Sequence, residues 1–376
     1  MKVSILGATG SIGRQALDVA EHLGLRVIAI TGNKNFSLLE EQARHFMPKM
    51  VVAADEDAAR ELKTRLADTS VNVLTGADGL IQAAQTDVDT IVSAIIGTAG
   101  LLPTLEAVKS GRRVALANKE SLVCAGEQIL SQAEASGAQI VPVDSEHSAI
   151  FQCMQGGGEV RKVLLTASGG PFFGYSFEEL ESVTKEQALQ HPNWNMGEKI
   201  TVDCATLMNK GLEFIEAMRL FSLKPEQIEI IIHRESVIHS AVEFIDGSVI
   251  AQLAQADMRL PIQYAFTYPE RRCGQTSALD LVARGKLSFF KPDFDAFRCL
   301  DLALSAAKKG GSQTAALSAA NEVAVKRFLN GQARFNDIFR IIDQVLTKIE
   351  FIEYPSIEDI LKIDTEARKR ASEVMI

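Results

Sequence analysis

The chain has 376 residues, of which 47% are hydrophobic and 23% charged, and its formal net charge at pH 7 is -9. This composition is typical of a globular protein with two or three domains, and its acidic balance argues against nucleic acid as a partner. No apolar run approaches the roughly 20 residues that span a bilayer, so we expect no membrane partner. Five scattered cysteines and an N-terminus without a signal-type segment predict a cytoplasmic protein with reduced thiols.

The first part of the chain alternates short apolar runs with amphipathic stretches. Strands are predicted, in order, at KVSIL, RVIAI, MVVAA, VNVLT, TIVSAI, RVALA and QIVPV, with the first helices at 11–23 and 38–46. Alternation of this kind predicts a parallel sheet that is covered by helices on both faces. We predict that this N-terminal, Rossmann-like domain spans residues 1–144.

The pattern changes after this sheet. KVLLTASGG, KITVDCAT, IEIIIH, SAVEFI and SVIAQL predict strands of a second sheet, with a hairpin at Asp246-Gly247 and a helix from about Leu207 to Leu220. We predict a central α+β domain over 145–270, a linker over 271–293 and a C-terminal helical bundle over 294–376. The predicted fold class is therefore α/β, with three structural regions.

The stretch GATGSIG stands between the first predicted strand and the first predicted helix. Gly7, Gly10 and Gly13 let the backbone approach a pyrophosphate, which a helix N-terminus favours electrostatically. The GxxGxxG spacing is looser than the usual GxGxxG, and a tight turn without a ligand is the alternative. The second strand ends without an acid but with Lys34, which favours NADP(H) over NAD(H), unless that lysine is simply solvated.

Two acids, Asp144 and Glu146, follow the last strand of the predicted sheet. If the chain is still extended there, both carboxylates point the same way, and their repulsion calls for a cation between them. Oxygen ligands suit Mg²⁺ or Mn²⁺. A third acid, Glu213, shares a predicted helix face with Asn209 and has Lys210 beside it. A solvated helix face is the alternative interpretation of this last group.

Three further stretches combine polar side chains with turn residues. Lys119, in ALANKESLV, follows a strand and could neutralise a substrate oxygen or lie in a surface turn. Ser168, in LLTASGGPF, precedes two glycines in a turn that could hold a phosphate. QHPNWNMGEK contains His191, the only tryptophan, Trp194, and also Met196. This last stretch predicts either a lid over a site or a loop attached to the core.

Together these motifs resemble one family, 1-deoxy-D-xylulose 5-phosphate reductoisomerase. GATGSIG, ALANKESLV, PVDSEHSAIFQ, LTASGGPF, HPNWNMGEKITVD and ATLMNKGLEFIEA occur in the family's order, and the resemblance covers essentially the whole chain. It implies a retro-aldol rearrangement followed by NADPH reduction to 2-C-methyl-D-erythritol 4-phosphate, the committed step of the non-mevalonate isoprenoid pathway. It also implies Mg²⁺, Mn²⁺ or Co²⁺ as cofactor, a small phosphate ester as substrate, and a homodimer formed through the central domain.

The resemblance further implies roles for individual residues. The expected NADPH contacts are Thr9, Gly10, Ser11, Ile12, Gly32, Asn33, Lys34, Asn35, Asn118, Glu120 and Gly197. The expected metal ligands are Asp144, Glu146 and Glu213. The expected substrate contacts are Lys119, Ser145, Glu146, Ser168, His191, Trp194, Met196, Cys204, Asn209, Lys210 and Glu213. Of these, Lys119, Glu146 and His191 are the expected catalytic residues, and Trp194 and Met196 the expected flap.

Two features depart from the family's pattern. Cys204, in VDCAT, stands where the family typically has a serine that meets the substrate phosphate. A thiol is a weaker hydrogen-bond donor than a hydroxyl, so we expect at most a modest rise in KM. TGNKN also has one residue more than the usual GKN form, which leaves open whether Gly32 or Asn33 contacts the 2′-phosphate.

Two other classes of protein remain as alternatives. A short-chain dehydrogenase would need a Tyr-xxx-Lys pair, and no tyrosine of the chain has a lysine at that spacing. A semialdehyde dehydrogenase would need a nucleophilic cysteine, for which Cys153 is the best candidate. A non-catalytic NADP sensor would have no use for three acids of metal-binding type.

Overall fold

A computed structural model describes residues 1–194 and 196–376 of the chain. These residues form two compact units, each assembled from several segments. The first unit contains Met1–Ser121, Ile129–Ser148 and Asp257–Ser277. The second unit contains Leu122–Gln128, Ala149–Ala256 and Ala278–Ile376. Because both units are discontinuous along the chain, they do not test the predicted linear domain limits, which stay predictions.

The sheet of the first unit contains the seven predicted strands. They are β1 Lys2–Leu6, β2 Arg26–Gly32, β3 Met50–Ala53, β4 Asn72–Thr75, β5 Thr90–Ser93, β6 Arg113–Leu116 and β7 Gln139–Pro142. Their order is β4-β3-β2-β1-β5-β6-β7, and every neighbouring pair is parallel. All four residues of β5 are buried, as expected for a sheet with helices on both faces. The strand order reverses direction at β1 and β5, and this is where such sheets bind ligands.

Sixteen α-helices occur among the described residues. The first eight are α1 Ser11–His22, α2 Phe36–Phe46, α3 Glu56–Arg65, α4 Gly76–Ala84, α5 Leu101–Lys109, α6 Lys119–Ser136, α7 Ser145–Cys153 and α8 Lys185–Ala188. The others are α9 Glu198–Ala205, α10 Met208–Leu220, α11 Arg259–Thr267, α12 Leu281–Arg284, α13 Arg298–Lys309, α14 Gln313–Leu329, α15 Asp337–Lys348 and α16 Ile357–Glu373. None of the helices in the described part of the chain is both long and apolar enough to cross a membrane.

The second unit has a four-stranded sheet of β8 Val160–Ala167, β9 Ile228–Ile232, β10 Ile238–Phe244 and β11 Val249–Leu253. The order is β11-β10-β8-β9, with β8 and β9 parallel and the other pairs antiparallel. The predicted hairpin between β10 and β11 is confirmed, since Gly247 adopts φ +84° and Ser248 donates its amide to Asp246 Oδ1 at 2.9 Å. The predicted C-terminal helices are also confirmed, and α14 packs against α13, α15 and α16.

One predicted strand is wrong. KITVDCAT forms the helix α9, which begins after Gly197 and ends at Ala205. Ile200, Thr201 and Val202 are β-branched and favour a strand locally. The helix forms instead because it buries Val202 and Ala205, and the Thr201 hydroxyl donates to the Gly197 carbonyl at 2.9 Å. Burial in the second unit thus overrides local propensity.

Candidate active site

In the glycine-rich turn after β1, backbone segments pack directly against each other. Gly7 adopts φ +92°, and a Cβ there would lie 2.5 Å from the carbonyl oxygen of Ala94. A Cβ on Gly13 would lie 2.1 Å from the carbonyl oxygen of Gly7. Gly10 is the N-cap of α1, and glycine has no side chain with which to occupy the first amides of the helix. The turn therefore packs tightly and presents helix amides to an anion.

The loop after β2 positions Lys34 in solvent. Its side chain is 81% exposed, and its ammonium lies 4.0 Å from the carboxylate of Asp55. Asn35 caps α2 by accepting the Leu38 amide at 3.1 Å, which fixes the end of the loop. Lys34 is therefore solvated in this structure and accessible to an anionic group at the carboxyl edge of the sheet.

The segment after β6 is buried rather than exposed. Asn118 donates its side-chain amide to the carbonyls of Ile95 at 2.6 Å and Gly97 at 3.0 Å. Lys119 is only 7% exposed, and its Nζ lies 2.7 Å from Asp144 Oδ2. The surface-turn interpretation of Lys119 is therefore wrong, because a lysine so buried requires a charged partner.

The chain is not extended at Asp144, Ser145 and Glu146, contrary to the sequence-based assumption. Strand β7 ends at Pro142 and α7 begins at Ser145. The Ser145 amide donates to Asp144 Oδ1 at 3.0 Å, and its hydroxyl donates to Glu146 Oε2 at 2.5 Å. Both acids are partly buried, and the Lys119 ammonium supplies positive charge beside Asp144.

Helix α10 carries a buried polar group in the second unit. Asn209, Lys210 and Glu213 are all buried, and Glu213 is only 1% exposed. Asn209 donates to Glu213 Oε1 at 2.5 Å, and the Lys210 ammonium forms an ion pair with the other carboxylate oxygen. Leu207, immediately before this helix, adopts φ +59°. The alternative of a solvated helix face is therefore wrong.

The Ser168–Gly170 turn follows β8 and packs against the backbone of α9. Gly169 and Gly170 adopt φ values of +77° and +65°, a region in which a side chain would be strained. A Cβ on Gly170 would lie 2.7 Å from the carbonyl oxygen of Cys204. The structure thus brings Ser168 and Cys204, both predicted to meet phosphate, into neighbouring segments.

His191 is held as one neutral tautomer by its hydrogen bonds. Its Nδ1 accepts the amides of Asn193 at 3.2 Å and Trp194 at 3.0 Å, so the ring proton belongs on Nε2. Nε2 lies 3.0 Å from Ser168 Oγ and donates to it. Ser168 Oγ also accepts the Gly170 amide at 3.2 Å. The hydroxyl hydrogen of Ser168 remains available for a ligand.

The charge state of His191 agrees with this arrangement. Burial, together with the positive charges of Arg234 and Lys210, lowers the pKa of His191 to about 4. The imidazole is therefore neutral near pH 7 and acts as a hydrogen-bond donor to Ser168. Of these two cations, Arg234 also donates hydrogen bonds to the Ser168–Gly170 turn.

The predicted flap is attached at its beginning. Asn193 donates its side-chain amide to the carbonyl of Arg234 at 2.8 Å and to Ser236 Oγ at 2.9 Å. The Trp194 ring lies 6.1 Å from the His239 ring. Asn195, which belongs to the predicted flap segment, lies outside the described residues. The bonds of Asn193 attach the beginning of this segment to the rest of the second unit. Such an attachment is expected for a lid as well as for a loop attached to the core.

The predicted site residues divide between the two units. The first unit carries Thr9, Gly10, Ser11, Ile12, Gly32, Asn33, Lys34, Asn35, Asn118, Lys119, Glu120, Asp144, Ser145 and Glu146. The second carries Ser168, His191, Trp194, Met196, Gly197, Cys204, Asn209, Lys210 and Glu213. Sequence analysis missed Arg234, which donates to the carbonyls of the Ser168–Gly170 turn. The available signal was an arginine directly after the apolar strand in IEIIIHRES.

Models of one protein family match most of the chain. Residues 3–126 match the model of 1-deoxy-D-xylulose 5-phosphate reductoisomerase. Residues 140–221 match that of the 1-deoxy-D-xylulose 5-phosphate reductoisomerase C-terminal domain, and residues 253–370 match that of the DXP reductoisomerase C-terminal domain.

Relatives of the same name are similar along their whole length. The 1-deoxy-D-xylulose 5-phosphate reductoisomerase of Acetivibrio thermocellus is 52% identical, over 100% of this chain and 99% of the relative. The solved Zymomonas mobilis enzyme in complex with NADPH is 44% identical, covers 99% of this chain and 98% of its own, and has a TM-score of 0.92. A reductoisomerase solved with NADPH, fosmidomycin and magnesium is 41% identical, with 99% and 97% covered and a TM-score of 0.93.

The parallel sheet with its glycine-rich turn is of the dinucleotide-binding type, and the matches identify the chain as an oxidoreductase. With three matching family models and relatives at about half identity, the chain belongs to the 1-deoxy-D-xylulose 5-phosphate reductoisomerase family. The alternatives of another dehydrogenase class and of a non-catalytic sensor are therefore wrong.

Proposed function

We infer that this enzyme converts 1-deoxy-D-xylulose 5-phosphate into 2-C-methyl-D-erythritol 4-phosphate, with NADPH as reductant and a divalent cation as cofactor. The observation that carries this function is the match to the family's models along most of the chain. Solved relatives contain NADPH and magnesium. The reaction is the committed step of the non-mevalonate isoprenoid pathway.

The proposed ligands of the cation are Asp144, Glu146 and Glu213. Their donor set consists of carboxylate oxygens alone, which fits Mg²⁺ or Mn²⁺, with Co²⁺ as a further candidate. When bound, such a cation polarises a substrate carbonyl and offsets negative charge on substrate oxygens. Burial of Glu213 supports its role, because a charged carboxylate at 1% exposure needs strong positive partners.

The proposed groups at the reacting carbons are Lys119, Ser145 and Glu146. Lys119 is fixed by its 2.7 Å contact with Asp144, so its ammonium is oriented before a substrate binds. The Ser145 hydroxyl donates to Glu146, which orients that carboxylate. The candidates for moving the proton of the rearrangement are Lys119, Glu146 and a substrate hydroxyl.

The proposed phosphate site consists of Ser168, Cys204, Asn209 and Lys210, with His191 as the group that orients Ser168. Its support is the hydrogen-bond pattern, in which Ser168 accepts twice and keeps its own hydrogen for a phosphate oxygen. The Lys210 ammonium supplies charge for a phosphate dianion.

The proposed NADPH contacts keep the assignment made from the resemblance. They are Thr9, Gly10, Ser11, Ile12, Gly32, Asn33, Lys34, Asn35, Asn118, Glu120 and Gly197. The uncapped amides of α1 and the exposed Lys34 ammonium support contacts to the pyrophosphate and the 2′-phosphate. Trp194 and Met196 are proposed to cover the substrate and exclude water.

A direct assay tests this function. Purified protein is mixed with NADPH, Mn²⁺ and 1-deoxy-D-xylulose 5-phosphate, and NADPH absorbance is followed with and without EDTA. We expect oxidation that requires both substrate and metal. No oxidation with Mg²⁺, Mn²⁺ or Co²⁺, from folded protein that binds NADPH, would refute the proposed reaction.

A cytoplasmic homodimer is also proposed. The family resemblance supports both parts of this proposal. The odd number of scattered cysteines supports the cytoplasmic location. The dimer is supported by exposed apolar side chains on the edge strand β11, those of Val249 and Ile250. Light scattering on the purified protein should give the mass of two chains, and fractionation of cells should recover it with the cytoplasm. A mass of one chain at micromolar concentration would contradict the dimer.

A further inference from the structure

We propose that Arg234 is a positioning residue of the phosphate site, which holds the Ser168–Gly170 turn with its guanidinium and the base of the flap with its backbone. The inference rests on the proposed function, since it assumes that the substrate's phosphate group binds at this turn. None of the sequence motifs assigned to the site includes Arg234.

The first observation is that one nitrogen of Arg234 donates hydrogen bonds to two carbonyls of the turn. The Nη1 atom of Arg234 donates to the carbonyl of Ser168 and to the carbonyl of Gly170, both at 2.6 Å. Such bonds from a charged donor are among the stronger hydrogen bonds in proteins. Two carbonyls held in this way cannot turn toward a bound phosphate, whose oxygens they would repel. Arg234 thus maintains the conformation in which the Ser168 hydroxyl faces a ligand.

The second observation is that the guanidinium is itself held in place. It lies over the Phe173 ring at 5.1 Å, a favourable cation–π distance. The turn from which Arg234 projects is also rigid. His233 is fully buried, and its Nε2 accepts the amides of Val237 at 3.1 Å and Ile238 at 3.2 Å. The arginine therefore starts from a fixed backbone and ends in a fixed orientation.

The third observation links the turn to the flap. The carbonyl of Arg234 accepts the side-chain amide of Asn193, and the backbone amide of Asn193 donates to His191. His191 in turn donates to Ser168. Arg234 therefore closes a ring of hydrogen bonds that includes both the phosphate turn and the first residues of the flap.

The charge of Arg234 adds to this role. The guanidinium remains protonated at physiological pH even though burial lowers its pKa. It stands with Lys210 as positive charge close to His191. A phosphate dianion at Ser168 would be stabilised by this charge without direct contact with the guanidinium.

The test compares Arg234→Met and Arg234→Lys with the wild type and with Arg161→Met. Arg161 is an exposed arginine of β8 that pairs with Glu243 at 3.1 Å, and it serves as the matched control. Steady-state kinetics give KM and kcat, and calorimetry gives the affinity for inorganic phosphate. Fluorescence of Trp194, the only tryptophan, reports on the flap.

We expect Arg234→Met to raise KM for the substrate and to weaken phosphate binding by about tenfold or more, because two charge-assisted bonds and a nearby charge are lost. We expect kcat and KM for NADPH to change by less than about threefold, and the Trp194 emission maximum to shift. Arg234→Lys keeps the charge but has a shorter side chain without the flat guanidinium that lies over Phe173, so its KM should fall between those of the wild type and Arg234→Met.

Three results would overturn the proposal. One is an Arg234→Met enzyme with wild-type KM and phosphate affinity. Another is a loss of kcat and melting temperature at unchanged KM, which would indicate a purely structural arginine. A third is wild-type protein that does not bind phosphate. If the wild type binds phosphate, and Arg234→Met weakens that binding, but the substrate is not turned over, the proposed reaction fails and the role of Arg234 stands.

Discussion

Burying the carboxylate of Glu213 costs free energy that nearby positive charge and hydrogen-bond donors offset. In the structure, Lys210 and Asn209 bond to its two oxygens from the same helix. A divalent cation would add to this compensation, whereas a neutral amide at the same position would not need it. The same logic holds for Lys119, which is buried against Asp144. Each of these two buried groups is thus paired with an opposite charge, because a single charge would be too costly to remove from water.

Replacing Glu213 with glutamine should remove one proposed metal ligand while keeping the shape of the side chain. We expect Mn²⁺ affinity to fall by about a hundredfold and kcat by at least as much, because the cation loses one of three carboxylates. Mn²⁺ binding followed by electron paramagnetic resonance and NADPH oxidation measure the two effects.

The matched control for this variant is Glu226→Gln, which changes an exposed glutamate in the turn after α10. It should behave as the wild type in both measurements. Wild-type Mn²⁺ affinity in Glu213→Gln would show that Glu213 is not a ligand of the metal.

Cys204 tests how much the phosphate site depends on one donor. A Cys204→Ser variant should lower KM by no more than about two- to threefold, with kcat unchanged, because a thiol is a weak donor but other groups also bind the phosphate. The exposed Cys273→Ser is the control. A many-fold gain in kcat/KM would mean that the thiol costs this enzyme far more than we expect.

Among the helices, α6 contains a break that a single arginine fills. Ala125 has non-helical angles, φ -138° and ψ 34°, within Lys119–Ser136. A break of this kind disturbs the hydrogen bonds within the helix, and carbonyls that it releases need other donors when they are buried. Arg219 donates to the carbonyls of Leu122 and Val123, the latter at 2.7 Å. A Cβ on Gly126 would lie 2.3 Å from the Arg219 side chain, so glycine provides the space.

Arg219→Met should therefore destabilise the second unit. It would remove the donor that Arg219 supplies to both carbonyls and the bond from the guanidinium to the Thr314 hydroxyl at 3.0 Å. We expect the free energy of unfolding to fall by about 2–4 kcal/mol. Thermal and urea unfolding measure this change. Lys326→Met, at an exposed position of α14, is the control, and an equally small effect in both variants would contradict the role of Arg219.

Helix α9 shows why propensity failed in one element and succeeded in others. KITVDCAT is rich in β-branched residues, which favour a strand. In the structure it is helical, and its Asp203 is buried between two polar partners. Lys199 pairs with it at 2.9 Å, and Asn321 of α14 donates to it at 2.8 Å. Residues four apart in sequence, such as Lys199 and Asp203, lie side by side in a helix, whereas in a strand they are too far apart to pair. The contact with α14, distant in sequence, could not be read from the local pattern.

For the molecule as a whole, buried neutral histidines predict how stability depends on pH. Burial lowers the pKa of His239 to about 4, and that of His191 is lowered to a similar value. An unfolded histidine titrates near 6.5, so between about pH 6.5 and 4 the unfolded chain binds protons that the folded one does not. Stability is therefore complete above pH 6.5 and decreases as the pH falls toward 4.

We expect the free energy of unfolding to decrease on acidification from pH 6.5 to 5, with a limiting contribution of about 1.4 kcal/mol per pH unit from each histidine. His239→Gln should make this decrease shallower, since glutamine does not titrate. Urea unfolding at several pH values measures the slope. The exposed His22→Gln is the control, and an unchanged slope in His239→Gln would show that His239 is protonated in the folded protein.

Much of the fold and many of the motifs follow from short-range pattern. The seven parallel strands and the C-terminal helices were predicted because hydrophobic periodicity is a property of neighbouring residues. The glycine-rich turn, the acids after β7 and the Asn209–Glu213 group were found because their spacing within one segment already indicates their chemistry. The resemblance then linked these segments to one reaction.

Tertiary structure decided which polar groups pair and which are buried. Three contacts join segments that are distant in sequence. They are Lys119 with Asp144, Arg234 with the Ser168–Gly170 turn, and Asp203 of α9 with Asn321 of α14. Such partners are selected by burial, since a charge removed from water must find the opposite charge or a donor wherever the fold provides one. Sequence periodicity carries no record of that selection, and this is why Arg234 became visible only in the folded chain.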